Sequence, residues 1–197
     1  MGREFTPFTI GNRFRIIPEG TEQPQDERIN IIMAAGAFGS GEHETTANCL
    51  TILENHPQIQ GAKVLDLGSG TGILSIAALK LGAQSAMCVD IDPGAVKTCQ
   101  HNCALNHVSE QVSHVCGTLG KVEEENFDFI LANIYGDILL AVANELTGKA
   151  VSNAPMLLSG ILYEYNFDVR QAYKRLGFNV EKNIMLDEFS TVLLQKG

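Results

Sequence analysis

Several things are missing from this 197-residue sequence, and each absence narrows what the chain is. No apolar run approaches the roughly 18 residues that a membrane-spanning helix requires, and the N-terminus shows no signal-peptide core. A protein acting in the cytoplasm, away from membranes, is expected. There is no internal repeat and no low-complexity segment. Basic residues are scarce, 14 Lys and Arg against 23 Asp and Glu, for a formal net charge of −9. A general nucleic-acid binder carries a basic stripe, so direct nucleic-acid binding is not expected. An acidic surface can steer a basic partner, though net charge alone is weak support. The five cysteines, Cys49, Cys88, Cys99, Cys103 and Cys116, include no C-x-x-C pair. Cys99 and Cys103 stand four apart on a predicted helix with His101 and His107 nearby, but no ligand group has zinc-site spacing. Reduced thiols and no metal are expected.

What is present centres on Lys63-Val64-Leu65-Asp66-Leu67-Gly68-Ser69-Gly70-Thr71-Gly72-Ile73-Leu74. An apolar strand ends at a carboxylate, turns over three alternating glycines and opens into a helix. A loop without side chains lets a ligand approach the backbone. A second acidic strand end, Val89-Asp90-Ile91-Asp92, follows, with Asp90 22 positions after Gly68. That pairing of glycine turn and distant carboxylate is how a mostly parallel sheet holds a nucleoside. Gly68, Gly70 and Gly72 read G-x-G-x-G, whereas dinucleotide enzymes use G-x-G-x-x-G to seat a pyrophosphate on a helix N-terminus. No Gly-Lys-Ser/Thr follows, which excludes a P-loop. A nucleoside ligand without phosphates, S-adenosylmethionine (SAM) being the common one, fits best. A dinucleotide site and a purely structural glycine turn remain as the other readings.

With 45% hydrophobic residues, the chain is an ordinary globular mix of one-domain size. Phe5 to Ile17, split by the turn signal Gly11-Asn12, predicts a short hairpin or a strand, and Asn30 to Met33 another strand. The glycine-rich run Ala34 to Gly41 predicts a mobile loop able to cover a ligand. Thr45 or Thr46 would cap a helix running through Leu53. Strands are then expected at Val64, Ala86 to Val89, Val112 to Cys116, Phe127 to Ile134, Met156 to Ser159, Val180 to Met185 and Thr191 to Gln195. Helices are expected between them, including one from Asp137 to Lys149. The last two strands have no helix between them and should form an antiparallel hairpin. The expected fold is α/β: a doubly wound, mostly parallel seven-stranded sheet with an antiparallel C-terminal hairpin. Residues 1–29 are expected to be a short extension and residues 30–197 the main domain.

Ligands of such sheets lie beyond the carboxyl ends of the strands. Asp90 is placed there to accept from two ribose hydroxyls, or else to end its strand as an ordinary cap. Asp92, just before Pro93, fits the cap better. Asp66 is expected to orient the glycine loop and to meet a ligand ammonium. Asn133, at the end of the fourth strand, has an amide that both donates and accepts.

Five stretches in this order carry a resemblance: Ala37 to Thr46, Val64 to Leu74, Asp90 to Val96, Ala132-Asn133-Ile134 and Leu158 to Leu162. Together they resemble the ribosomal protein L-eleven methyltransferase family, class I SAM-dependent methyltransferases with a Rossmann-like fold. The discriminating part is the box Ala37-Phe38-Gly39-Ser40-Gly41-Glu42-His43-Glu44-Thr45-Thr46, although Glu42 and Glu44 stand where the family usually has Thr and Pro. The resemblance implies SAM contacts at Thr46, Gly68, Asp90 and Asn133, and a cover over the cofactor from Phe38, Gly39 and His43. It implies N-methylation of lysine side chains or N-terminal amines of a protein, a large-subunit ribosomal protein first of all. Methylation of another protein or a small amine, and SAM binding without catalysis, are the alternatives. Asn133, with the backbone of Ile134 and Tyr135, is expected to position the amine. His43 is either an orienting hydrogen-bonder or a base.

Overall fold

The computed structural model describes residues 6–34 and 41–197, so Phe38 and Gly39 of the expected cover lie outside the described residues. Two sheets form. The smaller consists of β1 (Phe8–Ile10), β2 (Phe14–Pro18) and β3 (Ile29–Met33), in that order. The first two are an antiparallel hairpin turning at Gly11-Asn12, as the Gly-Asn pair predicts, and β3 runs parallel to β2.

The larger sheet is assembled from β4 (Lys63–Leu67), β5 (Ser85–Asp90), β6 (Val112–Cys116), β7 (Phe129–Asn133), β8 (Pro155–Leu162), β9 (Phe178–Met185) and β10 (Phe189–Lys196). Their spatial order is β6-β5-β4-β7-β8-β10-β9. Pairing is parallel from β6 through β8, and β10 runs antiparallel to both β8 and β9. The expected seven-stranded fold with its terminal hairpin is therefore present, and the order reverses direction at β4, between β5 and β7.

Both faces of this sheet are apolar because alternate residues of each central strand enter different cores. Val64, Ala86, Cys88, Phe129, Leu131, Leu157 and Leu193 point to one side. There they meet the small sheet and helices α1 (Glu44–Leu53), α2 (Ile73–Lys80) and α3 (Pro93–Leu105). Leu65, Met87, Val89, Ile130, Met156, Leu158 and Val192 point to the other. Their partners are α4 (Gly136–Ala141), α5 (Ala143–Gly148) and α6 (Tyr163–Arg175). No helix among the described residues is long and apolar enough to cross a membrane.

Two local expectations are corrected. The helix from Asp137 to Lys149 is two short helices, broken at Val142, whose ψ is 1°. The Leu139 carbonyl, which a continuous helix would give to the Ala143 amide, accepts from the buried Tyr173 hydroxyl at 3.0 Å. The cap of α1 is His43, not Thr45 or Thr46. Its ring Nδ1 takes the Thr45 amide at 3.4 Å and lies 2.8 Å from the Thr45 hydroxyl.

The small sheet is bound into the first core by side chains that stand in for backbone. Asn106 just past α3 accepts from the Ile32 amide at 2.9 Å and donates to the Ile32 carbonyl at 2.6 Å. Asn102 accepts from the Ala34 amide and donates to the Thr71 carbonyl, both at 2.9 Å. Buried Glu54, following α1, gathers the Asn12 and Arg13 amides at the β1–β2 turn. The start of the expected main domain, residue 30, falls inside β3.

Candidate functional site

The glycine loop leaves β4 under steric constraint. Gly68 has φ +70°, and a Cβ there would stand 2.2 Å from Ile134 Cγ2. Only a residue without a side chain lets this strand end approach the neighbouring β7 end so closely. The Gly68 and Ser69 amides donate to the Val89 carbonyl at 2.8 and 3.1 Å, which fastens the loop across to β5. Gly70 differs: it also has positive φ, but nothing lies within 4 Å of a Cβ placed there. It opens onto free space, as a ligand-facing position should. Gly72 begins α2 and packs on Cys99 rather than facing the cavity.

Asp90 ends β5, half-buried. One carboxylate oxygen accepts from the Gly70 amide at 2.9 Å and the other from the Asp92 amide at 2.9 Å. The carboxylate thus shapes the loop, and with about four acceptor positions it retains capacity for further donors. It stands just outside the residues that line the cavity. Asp92 is the N-cap of α3 and accepts from the Gly94 amide at 2.8 Å, as expected. Asp66 is buried on the face of β4 that meets α2, and accepts from the Ser75 hydroxyl at 2.7 Å. Burial pushes its pKa up to about 6, against the lowering effect of the Ser75 hydrogen bonds.

A cavity of about 320 Å³ opens at the carboxyl ends of β4, β7 and β8. Its walls include the glycine loop, Asp66, Thr46, Asn133, Ile134 and Tyr135. This is the reversal point of the sheet, where open α/β folds bind ligands. Asn133 Nδ2 donates to Thr46 Oγ1 at 3.2 Å, tying β7 to the first turn of α1. Because His43 caps that helix, the Thr46 hydroxyl is left to meet Asn133. Gly160 on β8 has φ +75°, and a Cβ on it would come within 2.9 Å of the Ile134 carbonyl oxygen and 3.1 Å of Asn133 Oδ1. The two oxygens therefore share one corner. Tyr135, 61% exposed, stands at the rim.

The structure brings His43, Thr46, Asp66, Gly68, Gly70, Asn133, Ile134 and Tyr135 to one cavity, with Asp90 and Gly72 supporting it from behind the loop. Sequence reasoning did not single out Phe189, Ile138 or Gly160, which also line it. Phe189 enters from β10 and meets the His43 ring edge-on at 5.3 Å. No local signal marks it, because it reaches the site through the antiparallel hairpin. Gly160 lay within the Leu158 to Leu162 stretch and is the residue of it that the site requires. Glu44 has a role of its own: it accepts from the Asp187 amide at 3.0 Å, clamping the β9–β10 turn beside Phe189. The expectation of no metal rested on spacing along the chain. The fold nevertheless places ligand atoms of Cys88, Cys99 and His114 within 4.8 Å of one another.

The family model described as ribosomal protein L11 methyltransferase (PrmA) matches residues 2–197. A ribosomal protein L11 methyltransferase of Trichlorobacter lovleyi is 39% identical over 94% of this chain and 63% of its own length. One from an Exiguobacterium species is 34% identical over 98% of this chain and 62% of its own. The chain thus spans about three fifths of the length of these curated relatives. A crystal structure of ribosomal protein L11 methylase from Lactobacillus delbrueckii subsp. bulgaricus superposes with a TM-score of 0.87 at 26% identity, covering 99% of this chain and 100% of that one. The chain belongs to the ribosomal protein L11 methyltransferase family.

Proposed function

We propose that this chain is a SAM-dependent protein N-methyltransferase acting on amino groups, lysine side chains or an N-terminal amine, of a ribosomal protein, with L11 the first candidate. In this reading it works in the cytoplasm, residues 30–197 carry the catalytic domain, and residues 1–29 are an extension whose described part packs against it. The observation that carries the proposal is the cavity where a side-chain-free glycine loop faces the fixed Asn133–Thr46 pair.

The residues suit the cofactor. Gly70 leaves a cradle that any Cβ would begin to fill, Asp66 supplies a buried carboxyl, and Asp90 has acceptor positions left for ribose hydroxyls. Bound SAM supplies an electrophilic methyl group, so the protein's tasks are alignment and exclusion of water. Asn133 is held through Nδ2, which leaves Oδ1 to accept an amine N–H beside the Ile134 carbonyl. Two acceptors at one corner orient the nitrogen lone pair and favour the amine in place. The apolar walls of Ile138, Leu74 and Phe189 disfavour the ammonium, which must lose its proton before transfer. His43 is engaged by Thr45 and stacked edge-on against Phe189, so it orients and is not assigned as a base.

The test is incubation with methyl-labelled SAM and either purified ribosomal protein L11 or a cell lysate. Label in L11 is expected. Label in a small amine would overturn the substrate, and calorimetry showing tight NAD binding without SAM binding would overturn the cofactor.

A further inference from the structure

Beneath the glycine loop, three side chains converge that the methyl-transfer reading does not use, and a fourth stands one helical turn along. Cys88 stands on β5, directly paired in register with His114 on β6. Cys99 and Cys103 occupy successive turns of α3, which packs across both strands. Ligand atoms of Cys88, Cys99 and His114 lie within 4.8 Å of one another. Cys103 stands one turn along α3 from Cys99, on the same helix face, just outside this group of three. All three cysteines are buried, at most 1% exposed. His114 Nδ1 is buried without a hydrogen-bond partner. Leaving a buried ring nitrogen unpaired costs about 1–3 kcal/mol, so packing alone does not account for the arrangement.

We propose that Cys88, Cys99 and His114 form the core of a site for a thiophilic divalent cation of the zinc type, with Cys103, one helical turn along, drawn in as the fourth ligand. Zinc is borderline soft and takes four sulfur and nitrogen ligands tetrahedrally, with Zn–S of about 2.3 Å. Neighbouring ligand atoms then stand roughly 3.8 Å apart by simple tetrahedral geometry, so side-chain shifts of about 1 Å bring Cys88, Cys99 and His114 to bonding distance, and a larger shift brings in Cys103. Binding exchanges thiol protons for the cation: three protons go to solvent, leaving three thiolates and a neutral imidazole on the metal. With four protein ligands no coordination position stays open, which makes the site structural rather than catalytic.

Its position gives it a purpose. A Cβ on Gly72 would stand 2.5 Å from Cys99 Sγ, so the cysteine directly underlies the start of α2. Cys88 Sγ lies 3.1 Å from the Ser75 hydroxyl, which itself donates to Asp66 on the cavity floor. The cation would pin β5, β6 and α3 together and stiffen the platform under the glycine loop. This inference stands independently of the methyl acceptor and of catalysis.

The experiment is titration of the reduced, chelator-stripped full chain with Co²⁺ alone. A thiolate-to-cobalt charge-transfer band with the intense visible bands of tetrahedral cobalt should saturate at one equivalent. Zn²⁺ should bleach the bands and raise the melting temperature. Cys88→Ser and, separately, His114→Gln should each weaken cobalt binding by ~10–100-fold or more, with circular dichroism checking that each variant is folded. The His114 variant is the less disruptive because the residue is only half-buried. Cys116→Ser, removing the exposed thiol of the same strand, should leave the bands unchanged. The proposal fails if the folded wild type gives only weak octahedral bands. It also fails if the charge-transfer band survives in both folded ligand variants, or disappears with Cys116.

Discussion

Asp66 is a carboxyl buried one turn of chain before a ligand loop, and its environment makes a quantitative statement about pH. Its ordinary pKa of 3.8 rises to about 6 in the fold. Above pH 6 the folded protein carries this carboxylate ionised in a buried site, at a cost of ~3 kcal/mol. As pH falls from 6 to 4, the folded state binds a proton that the unfolded chain has not yet taken up, so this group's contribution to stability improves. Asp66→Asn should therefore be more stable than wild type near pH 7 by up to ~3 kcal/mol, with the gap closing toward pH 4. Urea unfolding at several pH values measures it, and a gap that widens on acidification would refute the assignment. Asp90 invites a different measurement. If its free acceptor positions hold the ribose, Asp90→Ala should weaken SAM binding by about 1–3 kcal/mol in calorimetry. Unchanged affinity would remove it from the site. Both carboxylates were legible from their places at strand ends. The Gly70 and Asp92 amides on Asp90 were not, because a bond back to the loop depends on how the strand ends align across the sheet.

At the level of loops and helices, close approach governs the site. Gly68 sits where β4 and β7 nearly touch, and the void it leaves is filled by Ile134. Gly68→Ala must either displace that side chain or move the loop, and it also strains a positive φ. A stability loss of about 1–3 kcal/mol is expected, with weakened SAM binding. Adding Ile134→Ala should recover the part due to collision but not the part due to φ. Thermal melts of the two single variants and the double variant separate the contributions; strictly additive losses would show that the contact does not matter. The strand–glycine–helix unit itself was readable, since its residues are local and each has one structural use. The sequence points to a hydroxyl cap for α1 because hydroxyl residues are the usual caps, while here a histidine ring does that work and releases Thr46 for Asn133. The break at Val142 was invisible for another reason: the group at the break, the Tyr173 hydroxyl, comes from a helix some thirty residues away.

Across the whole molecule, periodicity explains why so much of the architecture could be read. Alternate residues of the central strands are apolar on both faces, which only a sheet covered on two sides accommodates. Strand order carries no such signature, and Phe189 and Glu44 therefore came as findings: each acts on the site through the hairpin placed beside β8. The same holds for the cysteine cluster, whose members are spread over three elements. Among the described residues, few polar groups reinforce the apolar core that joins the small sheet to the rest of the fold. Asn106→Ala would leave the amide and carbonyl of Ile32 unpaired, and should destabilise the protein by about 1–3 kcal/mol. If both sheets unfold as one unit, the urea transition stays single and shifts to lower denaturant; if they do not, an early partial transition appears.

The Asn102 and Asn106 bonds to β3 also bear on self-association. Exposed strand edges recruit other extended chains, and proteins protect them in various ways. Here β2 occupies one side of β3, while the two asparagine amides follow its backbone along the other, so α3 acts as a surrogate final strand. A foreign peptide would find the Ile32 and Ala34 groups already paired there. The opposite margin of the small sheet is β1, and Asn106→Ala would expose a second template at β3, turning a packing defect into a tendency to aggregate.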